Sequence, residues 1–396
     1  MKNIEQGTLS KKKHQSDRMP AAIRELLPAV SALLLITTVM TLINHKFLLP
    51  SNISNLLLQQ AEPAMLAIGL VMILFLGEID LSVGAVSGFC AAIMASLTAR
   101  HGVDPIVAIL IAVAVGASVG FFQSIWVVSF GIPAFIVTLA GLIGWQGGLF
   151  AVLGQQGTIN LTEPKIEFLT QAFLSKSFAW TVVILLCSVY IFIRIQTVRR
   201  SRELELEGTK LILVLIQSAI FAAILIILLL YFQRDRGIPV SFFIVLSMAT
   251  LLHLISRYTR FGRQVYAIGG NLEAARRAGI PVKRVRIQVF MLATVCAAIA
   301  GVLGGSRLSA VGSGQGGGTL LLNSIAAVVI GGTSLFGGRG HIWSAVIGSL
   351  IIGAISNGMD LLALASPIKY VVTALVLLAA VTFDSVSRSR SAKLTP

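Results

Sequence analysis

Residues 211–232 read Leu-Ile-Leu-Val-Leu-Ile-Gln-Ser-Ala-Ile-Phe-Ala-Ala-Ile-Leu-Ile-Ile-Leu-Leu-Leu-Tyr-Phe, without one charged side chain. A helix rising 1.5 Å per residue needs about 20 such residues to cross a hydrocarbon layer of roughly 30 Å. Similar runs recur at Leu26–Asn44, Ala61–Leu76, Leu81–Leu97, Ile106–Phe130, Ala134–Leu153, Phe178–Ile195, Ile238–Ile255, Ile287–Gly304, Leu320–Leu335, Ile342–Asn357 and Ile368–Phe383. Of the 396 residues 56% are hydrophobic and only 12% charged, against about a quarter charged in a soluble domain. An ordinary soluble enzyme is excluded, and a membrane β-barrel would show short stretches of alternating polarity instead. The expected fold is all-α, a polytopic membrane protein of ten to twelve transmembrane helices.

A net charge of +15 suggests nucleic acid until its placement is read. Basic residues gather at Lys11, Lys12, Lys13, Arg18 and Arg24, at Arg194 to Arg202, at Arg257 to Arg286, and at Arg388 to Lys393. Such clusters flanking apolar runs are assigned to the cytoplasm by the positive-inside rule, and they favour anionic lipid. Membrane lipid is therefore an expected partner and nucleic acid is not. Alternating the spans from a cytoplasmic N-terminus puts 196–210 and 257–286 inside, and 154–177 and 233–237 outside. The outer stretches carry few or balanced charges (Glu163, Lys165, Glu167 and Lys176; Arg234, Asp235 and Arg236). The chain divides into a cytoplasmic tail over 1–25, a single transmembrane domain over 26–385 entered by an uncleaved first span, and a cytoplasmic tail over 386–396.

Nothing in the sequence points to catalysis. Cys90, Cys187 and Cys296 are far apart inside apolar runs. His14, His45, His101, His253 and His341 share no metal-ligand spacing. The phosphate-binding pattern G-x-x-x-x-G-K-[ST] is missing. No metal and no cofactor are expected, and any ATP must be bound by another subunit. The cluster Gly312 to Gly318 reads as an external flexible loop.

Two junctions between spans are short and glycine-rich: Gly77-Glu78-Ile79-Asp80-Leu81-Ser82-Val83-Gly84 and Gly331-Gly332-Thr333-Ser334-Leu335-Phe336-Gly337-Gly338. They align without gaps on Gly, Leu and Gly, and weaker matches follow each. The pattern predicts a weak internal duplication with two broken or re-entrant segments, the best sequence pointer to a transport path. Non-helical backbone at membrane depth survives only against protein or a water-filled cavity. Charge there is costly and defaults to function. Asp80 and Ser82 also suit the N-cap of the next helix; Glu78 has no such role and is the better site candidate.

The loop at 257–286 is the one elaborate polar segment. Asn271 is a good N-cap, Glu273 places negative charge in the first turn, Arg276 and Arg277 lie in the last, and Gly279 is a natural stop. The spacing predicts a helix of about two turns, too short to stand alone in water. Flanking loops and a docked partner would hold it.

These residues resemble a known family. Tyr266-Ala267-Ile268-Gly269-Gly270-Asn271, followed by Glu273-Ala274-Ala275 and Gly279, is similar to the coupling loop of permease subunits of ATP-binding-cassette (ABC) importers. The segments 78–84, Phe135-Ile136-Val137-Thr138-Leu139, and 325–335 resemble the ribose/xylose-type branch. Three spans between Phe178 and Ile255, where ribose-type permeases have one, together with Arg236-Gly237-Ile238-Pro239, are similar to xylose-transporter permeases. Leu321-Leu322-Asn323, Gln123-Ser124 and His341-Ile342-Trp343-Ser344 depart from the branch's pattern, which leaves the sugar open.

The resemblance implies a permease in a bacterial inner membrane, importing a neutral monosaccharide such as D-xylose or another pentose by alternating access. It would act as a dimer with a second permease copy, an ABC ATPase subunit, and a periplasmic or extracellular sugar-binding protein. Candidate pathway residues are Glu78, Asp80, Ser82, Gly84, Thr138, Asn323, Ser334 and Asn357, with Phe135 and Phe336 as apolar gates. Candidate ATPase-coupling residues are Arg263, Asn271, Glu273, Ala274, Ala275, Arg276 and Gly279. The alternative is a proton-coupled secondary transporter needing no ATPase, with Glu78 or Asp80 as its proton site.

Overall fold

A computed structural model of the chain describes residues 21–203, 211–376, 378 and 382. The clusters at Lys11 to Arg18 and Arg388 to Lys393, and most of both tails, lie outside the described residues. Among the described residues, nine helices are long and apolar enough to cross a membrane, and three shorter apolar helices join them. In chain order the helices are α1 (Ala21–Ile43), α2 (Pro50–Phe75), α3 (Val83–Ala99), α4 (Pro105–Ser129), α5 (Ala134–Leu153), α6 (Pro164–Gln171), α7 (Lys176–Glu203) and α8 (Leu211–Phe232). They continue as α9 (Val240–Tyr258), α10 (Arg260–Gly270), α11 (Leu272–Arg277), α12 (Val282–Leu308), α13 (Gly318–Ile330), α14 (Ile342–Leu361) and α15 (Ser366–Val376). Each expected span holds a helix, although the helix of Leu320–Leu335 stops at Ile330 and Ile368–Phe383 is described only in part.

The centre of the bundle is α2 against α12, running antiparallel and packed through glycines. A Cβ on Gly69 would lie 2.8 Å from the Ala293 carbonyl, and one on Gly304 would lie 2.3 Å from Glu62 Oε1. Small residues at helix contacts let backbones approach where lipid supplies no hydrophobic drive. The face thus built buries Met65, Ile68, Met72 and Phe75 of α2 with Val289, Phe290, Ala293 and Cys296 of α12. Helices α3, α4, α13 and α14 pack around this pair. The α7–α8 hairpin stands apart on a small cluster of its own around Ala179, Val183 and Leu229. Tyr231 Oη ties it back by donating to the Leu48 carbonyl at 2.6 Å.

Both glycine junctions are breaks in the helical path. Helix α2 ends with the Gly77 amide on the Leu74 carbonyl (2.9 Å) and the Glu78 amide on the Ile73 carbonyl (3.3 Å). Helix α13 ends identically, with Gly332 on Val329 (2.9 Å) and Thr333 on Val328 (3.2 Å). This double bond needs a left-handed residue just past the helix, and Gly77 (φ 77°) and Gly332 (φ 95°) supply it. The structural equivalence is Gly77 with Gly332, one residue away from the gapless alignment, which matched Gly77 to Gly331.

Beyond Gly77 the chain runs without helix to Ser82 before α3 begins. Ser87 lies against Gly301, where a Cβ would be 1.9 Å from the Ser87 carbonyl, while Glu78 lies against Arg286. Measured along α12, about 40 Å long at 1.5 Å per residue, α3 therefore starts near mid-depth. From the other end, Gly316 comes to the same level: a Cβ there would be 2.1 Å from the Gly84 carbonyl. The Gly312 to Gly318 cluster is accordingly not a free external loop. Its backbone is packed into the bundle because Gly84 and Gly88 leave room for it, and Gln315 donates to Glu62 at 2.8 Å.

At the end of the bundle opposite the 259–281 segment, two short strands, β1 (Thr158–Asn160) and β2 (Ala310–Gly312), pair antiparallel with Ile159 opposite Val311. The stretch expected as loop before Asn271 is also helical. Thr259 caps it by accepting the Gly262 amide at 3.2 Å, and Val265 and Ile268 bury an apolar face that short polar flanks disguised.

Candidate functional site

The most ordered polar assembly lies where the 259–281 segment meets the bundle. Asn271 caps α11 by accepting the Ala274 amide on its side chain at 2.9 Å. At the other end Gly279 (φ 76°) puts its amide on Arg276 and hands the Ile280 amide to Ala275, at 3.0 and 3.1 Å. Cap, stop and acidic first turn are those expected from the sequence. Of the motif's residues only Ala275 is buried; Asn271, Glu273, Ala274, Arg276, Gly279 and, on α10, Arg263 are exposed. Glu273 and Arg276 pair at 3.0 Å on that surface, a contact worth only about 0–1 kcal/mol.

Helix α10 seats this knob on both glycine breaks at once. A Cβ on Gly269 would lie 1.7 Å from the Phe75 carbonyl, and one on Gly337 would lie 2.8 Å from both the Gly269 carbonyl and Gly77 Cα. The Gly338 amide donates to the Phe75 carbonyl at 3.0 Å. The Tyr266 ring lies 4.5 Å from that of Phe75, tilted by 32°, and its hydroxyl donates to the Gly340 carbonyl at 3.0 Å. A displacement of α10 and α11 must therefore act on the end of α2 and on the α13–α14 junction together.

Glu78 is held at this same junction. Its Oε1 accepts from Arg286 at 2.5 Å, with both side chains mostly buried. The sequence reading gave Glu78 no structural partner; Arg286 is that partner, 208 residues away in sequence.

The other pathway candidates separate into groups. Asp80, fully buried, accepts from the Ser82 amide and hydroxyl, both at 2.7 Å, so Asp80 rather than Ser82 satisfies the start of α3. Ser82 meets Gln123 Nε2 at 2.9 Å, and Thr138 Oγ1 accepts the Leu81 amide at 3.1 Å. Asp80, Ser82, Gly84 and Thr138 thus come together with Gln123 where α3 begins. Asn357 is elsewhere, in a reciprocal amide pair with Asn52 at 2.8 and 3.1 Å that joins α14 to α2. Ser334 and Phe336 sit in the second glycine break, with Ser334 buried and the Phe336 ring 82% exposed. Phe135 is exposed on α5, and Asn323 is half-buried on α13.

The sequence makes neither of two interior polar residues a site candidate: Gln123 stands out only as a departure from the branch's pattern, and Glu62 not at all. Glu62 is 8% exposed and Gln123 2% exposed. Glu62 fell at the edge of the expected span because α2 starts at Pro50, eleven residues before Ala61. A lone acid inside a run that continues on both sides was the available signal.

His341 stands at the start of α14, where its Nδ1 accepts the Trp343 amide at 3.3 Å, and its ring lies 4.6 Å from that of His253. Burial, reinforced by His253 and Arg257, pushes the His341 imidazole down to about 4. Among the described residues no group of three or more His, Cys, Asp or Glu could hold a metal ion.

Comparison with known proteins fits this geometry. Residues 52–381 match the model of a family described as branched-chain amino acid transport system / permease component. The xylose transport system permease protein of Escherichia coli is 33% identical over 366 residues, 92% of either chain. The xylose permease protein of Haemophilus influenzae is 36% identical over 345 residues, covering 87% of this chain and 91% of that one. The ribose import permease protein of Escherichia coli is 29% identical over 354 residues, 89% of this chain and 92% of its own. No solved structure matches the chain.

Proposed function

The chain belongs to the family of branched-chain amino acid transport system permease components, and on that premise we propose that it is the membrane subunit of an ATP-driven importer of a neutral monosaccharide, D-xylose or another pentose. It is a multi-pass membrane protein and a transport permease, similar over most of its length to permeases of xylose and ribose systems. The observation that carries the reading is the exposed helix α11, capped at both ends and with Ala275 as its one buried residue. A six-residue helix ordered by its own caps and seated on two glycine breaks suits a lever pushed from outside the chain.

Sidedness supports the same reading. Arg257, Arg260, Arg263, Arg276, Arg277, Lys283, Arg284 and Arg286 crowd the end bearing α10 and α11. Placing that end in the cytoplasm satisfies the positive-inside rule and presents α11 to an ATPase. The ATPase would bind ATP, and this chain no cofactor. Closure of an ATPase dimer would shift α10 and α11, and through Phe75 and Gly338 the ends of α2 and the α13–α14 junction. A second permease copy and an external sugar-binding protein complete the assembly. A neutral sugar needs hydrogen-bonding groups along its path but no countercharge. Asp80, Ser82, Gly84 and Thr138 are grouped for that role, with Asn323, Ser334 and Asn357 along the flanking helices and Phe135 and Phe336 as apolar gates.

The test is reconstitution. The chain is placed in proteoliposomes with the ATPase and sugar-binding protein of its own transport system, and uptake of labelled D-xylose is followed. Uptake should require ATP, and Glu273→Arg or Gly279→Trp should abolish both uptake and copurification of the ATPase. Uptake by the chain alone, driven by a proton gradient and surviving ATP depletion, would replace this reading with a secondary transporter using Asp80 or Glu78.

A further inference from the structure

We propose that the cavity between α4 and α5 is a subsite for a neutral monosaccharide, held against aromatic faces and hydrogen-bonded by Gln123 and Trp145. The proposal rests on the reading of the chain as a sugar permease and adds a location none of its pathway candidates supplied. The cavity holds about 470 Å³ and is lined by the aromatic Phe122, Trp126 and Trp145 and by aliphatic side chains on and just before α5, with Gln123, Gly141 and Gly144 between them. Phe122 meets both indoles edge-on, its ring centroid 6.3 Å from Trp126 and 6.4 Å from Trp145. These contacts fix three aromatic surfaces around one space.

An acyl chain would require no polar group in such a wall, but two are present without a full set of partners. The Trp145 indole N–H is buried and has no hydrogen-bond partner among the described residues. Gln123 is bonded to Ser82 alone, with its two amide atoms 2.9 and 3.1 Å from Ser82 Oγ. The single hydroxyl proton of Ser82 goes to the Asp80 carboxylate at 2.7 Å, the stronger charge-assisted bond. Whichever way the Gln123 amide is turned, one of its groups is left for a ligand. Leaving a polar group unmet in a wall of this kind is unfavourable, and a bound hydroxyl would satisfy it.

A pyranose matches both features. Its faces are C–H surfaces that lie on aromatic rings, and its rim is hydroxyl groups that donate and accept. No charged side chain lines the space, and Asp80 behind Ser82 has its Oδ1 turned to Ser82. Gly141 is part of the construction: a Cβ there would lie 2.3 Å from Gln123 Nε2, so only glycine lets the amide lie in the wall. The site is small and weakly polar, as a carrier that must release its cargo requires.

Gly144 gives the experiment its probe, because a Cβ at that position meets nothing within 4 Å. The full chain carrying Gly144→Cys and Cys187→Ser is placed in lipid nanodiscs and modified with a water-soluble maleimide, with and without D-xylose. Modification should proceed without sugar and slow roughly tenfold when D-xylose is at about ten times its dissociation constant. Trp145→Phe, which keeps an aromatic face and removes the N–H, and Gln123→Leu should each weaken the protection. No protection at any concentration overturns the proposal. Modification only by a lipid-soluble maleimide overturns it in favour of a lipid groove, and a Gly144→Cys disulfide between copies unaffected by sugar in favour of a permease–permease contact. ATP-driven uptake by the complete importer, measured in parallel, separates the two claims. Uptake without protection removes the subsite and leaves the permease reading intact, while absence of sugar uptake removes both.

Discussion

Gly269 and Phe75 are in backbone contact: a Cβ on Gly269 would stand 1.7 Å from the Phe75 carbonyl oxygen, which also accepts the Gly338 amide. One carbonyl thereby joins α10, the end of α2 and the second glycine break. Gly269→Ala cannot be accommodated without lifting α10 from its seat, because the obstacle is backbone. Overpacking of this kind costs about 1–3 kcal/mol or more. The expected outcome is an importer that still assembles in the membrane and loses sugar uptake by about tenfold or more. Normal uptake by this variant would separate the glycine junction from coupling.

The Glu78–Arg286 pair is mostly buried, with side chains 13% and 20% exposed. Removing one member strands the other charge, at a cost of several kcal/mol for a wholly buried pair and about 2–3 kcal/mol here, where water still reaches it. Arg286→Met should therefore destabilise the protein more than the double variant Arg286→Met with Glu78→Leu. Thermal unfolding of both in detergent would show this order. Glu78→Gln also tests the pathway role: unchanged uptake would leave Glu78 as a structural partner of Arg286 alone.

Ala363 follows α14 in the left-handed conformation, φ 52°, and completes the same double cap that glycine makes at Gly77 and Gly332. A Cβ in that region costs about 1 kcal/mol. Ala363→Gly should raise the melting temperature without altering uptake. A lowered melting temperature would show that flexibility of the unfolded chain outweighs the strain.

His341 resists protonation until about pH 4, against 6.5 for the free side chain. Between these values the unfolded chain binds a proton that the folded chain refuses, so stability rises with pH there. The contribution is complete above about 6.5 and is lost as pH falls from 6.5 toward 4. His341→Asn keeps an acceptor at the start of α14 and removes the titration. Its melting temperature should depend less on pH over this window than the parent's, and an unchanged slope would move the effect to other groups.

Glu62 and Gln315 are bonded inside the bundle at 2.8 Å. Glu62→Gln preserves an acceptor of the same shape, whereas Glu62→Ala leaves Gln315 unpaired and adds a cavity beside Gly304. The alanine variant should be less stable than the glutamine variant by roughly 1–3 kcal/mol. Equal stability of the two would mean that another group or water takes over the Gln315 amide.

Whatever depends on local sequence was legible before any coordinates. The runs typified by residues 211–232 determined the helical class, since apolar length has one solution in lipid. Asn271 and Gly279 determined α11 to the residue, because caps act over three or four neighbours. Glycine spacing likewise located both helix breaks, with an error of one position where Gly332 and not Gly331 takes the left-handed turn. What the sequence could not express was depth and partnership. Glu78 with Arg286, Glu62 with Gln315, Asn52 with Asn357, and Gly84 with Gly316 are pairs hundreds of residues apart. Which of them meet is set by how α2 and α12 slide past each other until their glycines interlock. That packing, which no local propensity encodes, placed the two glycine breaks beneath α10 and opened the aromatic cavity around Gln123.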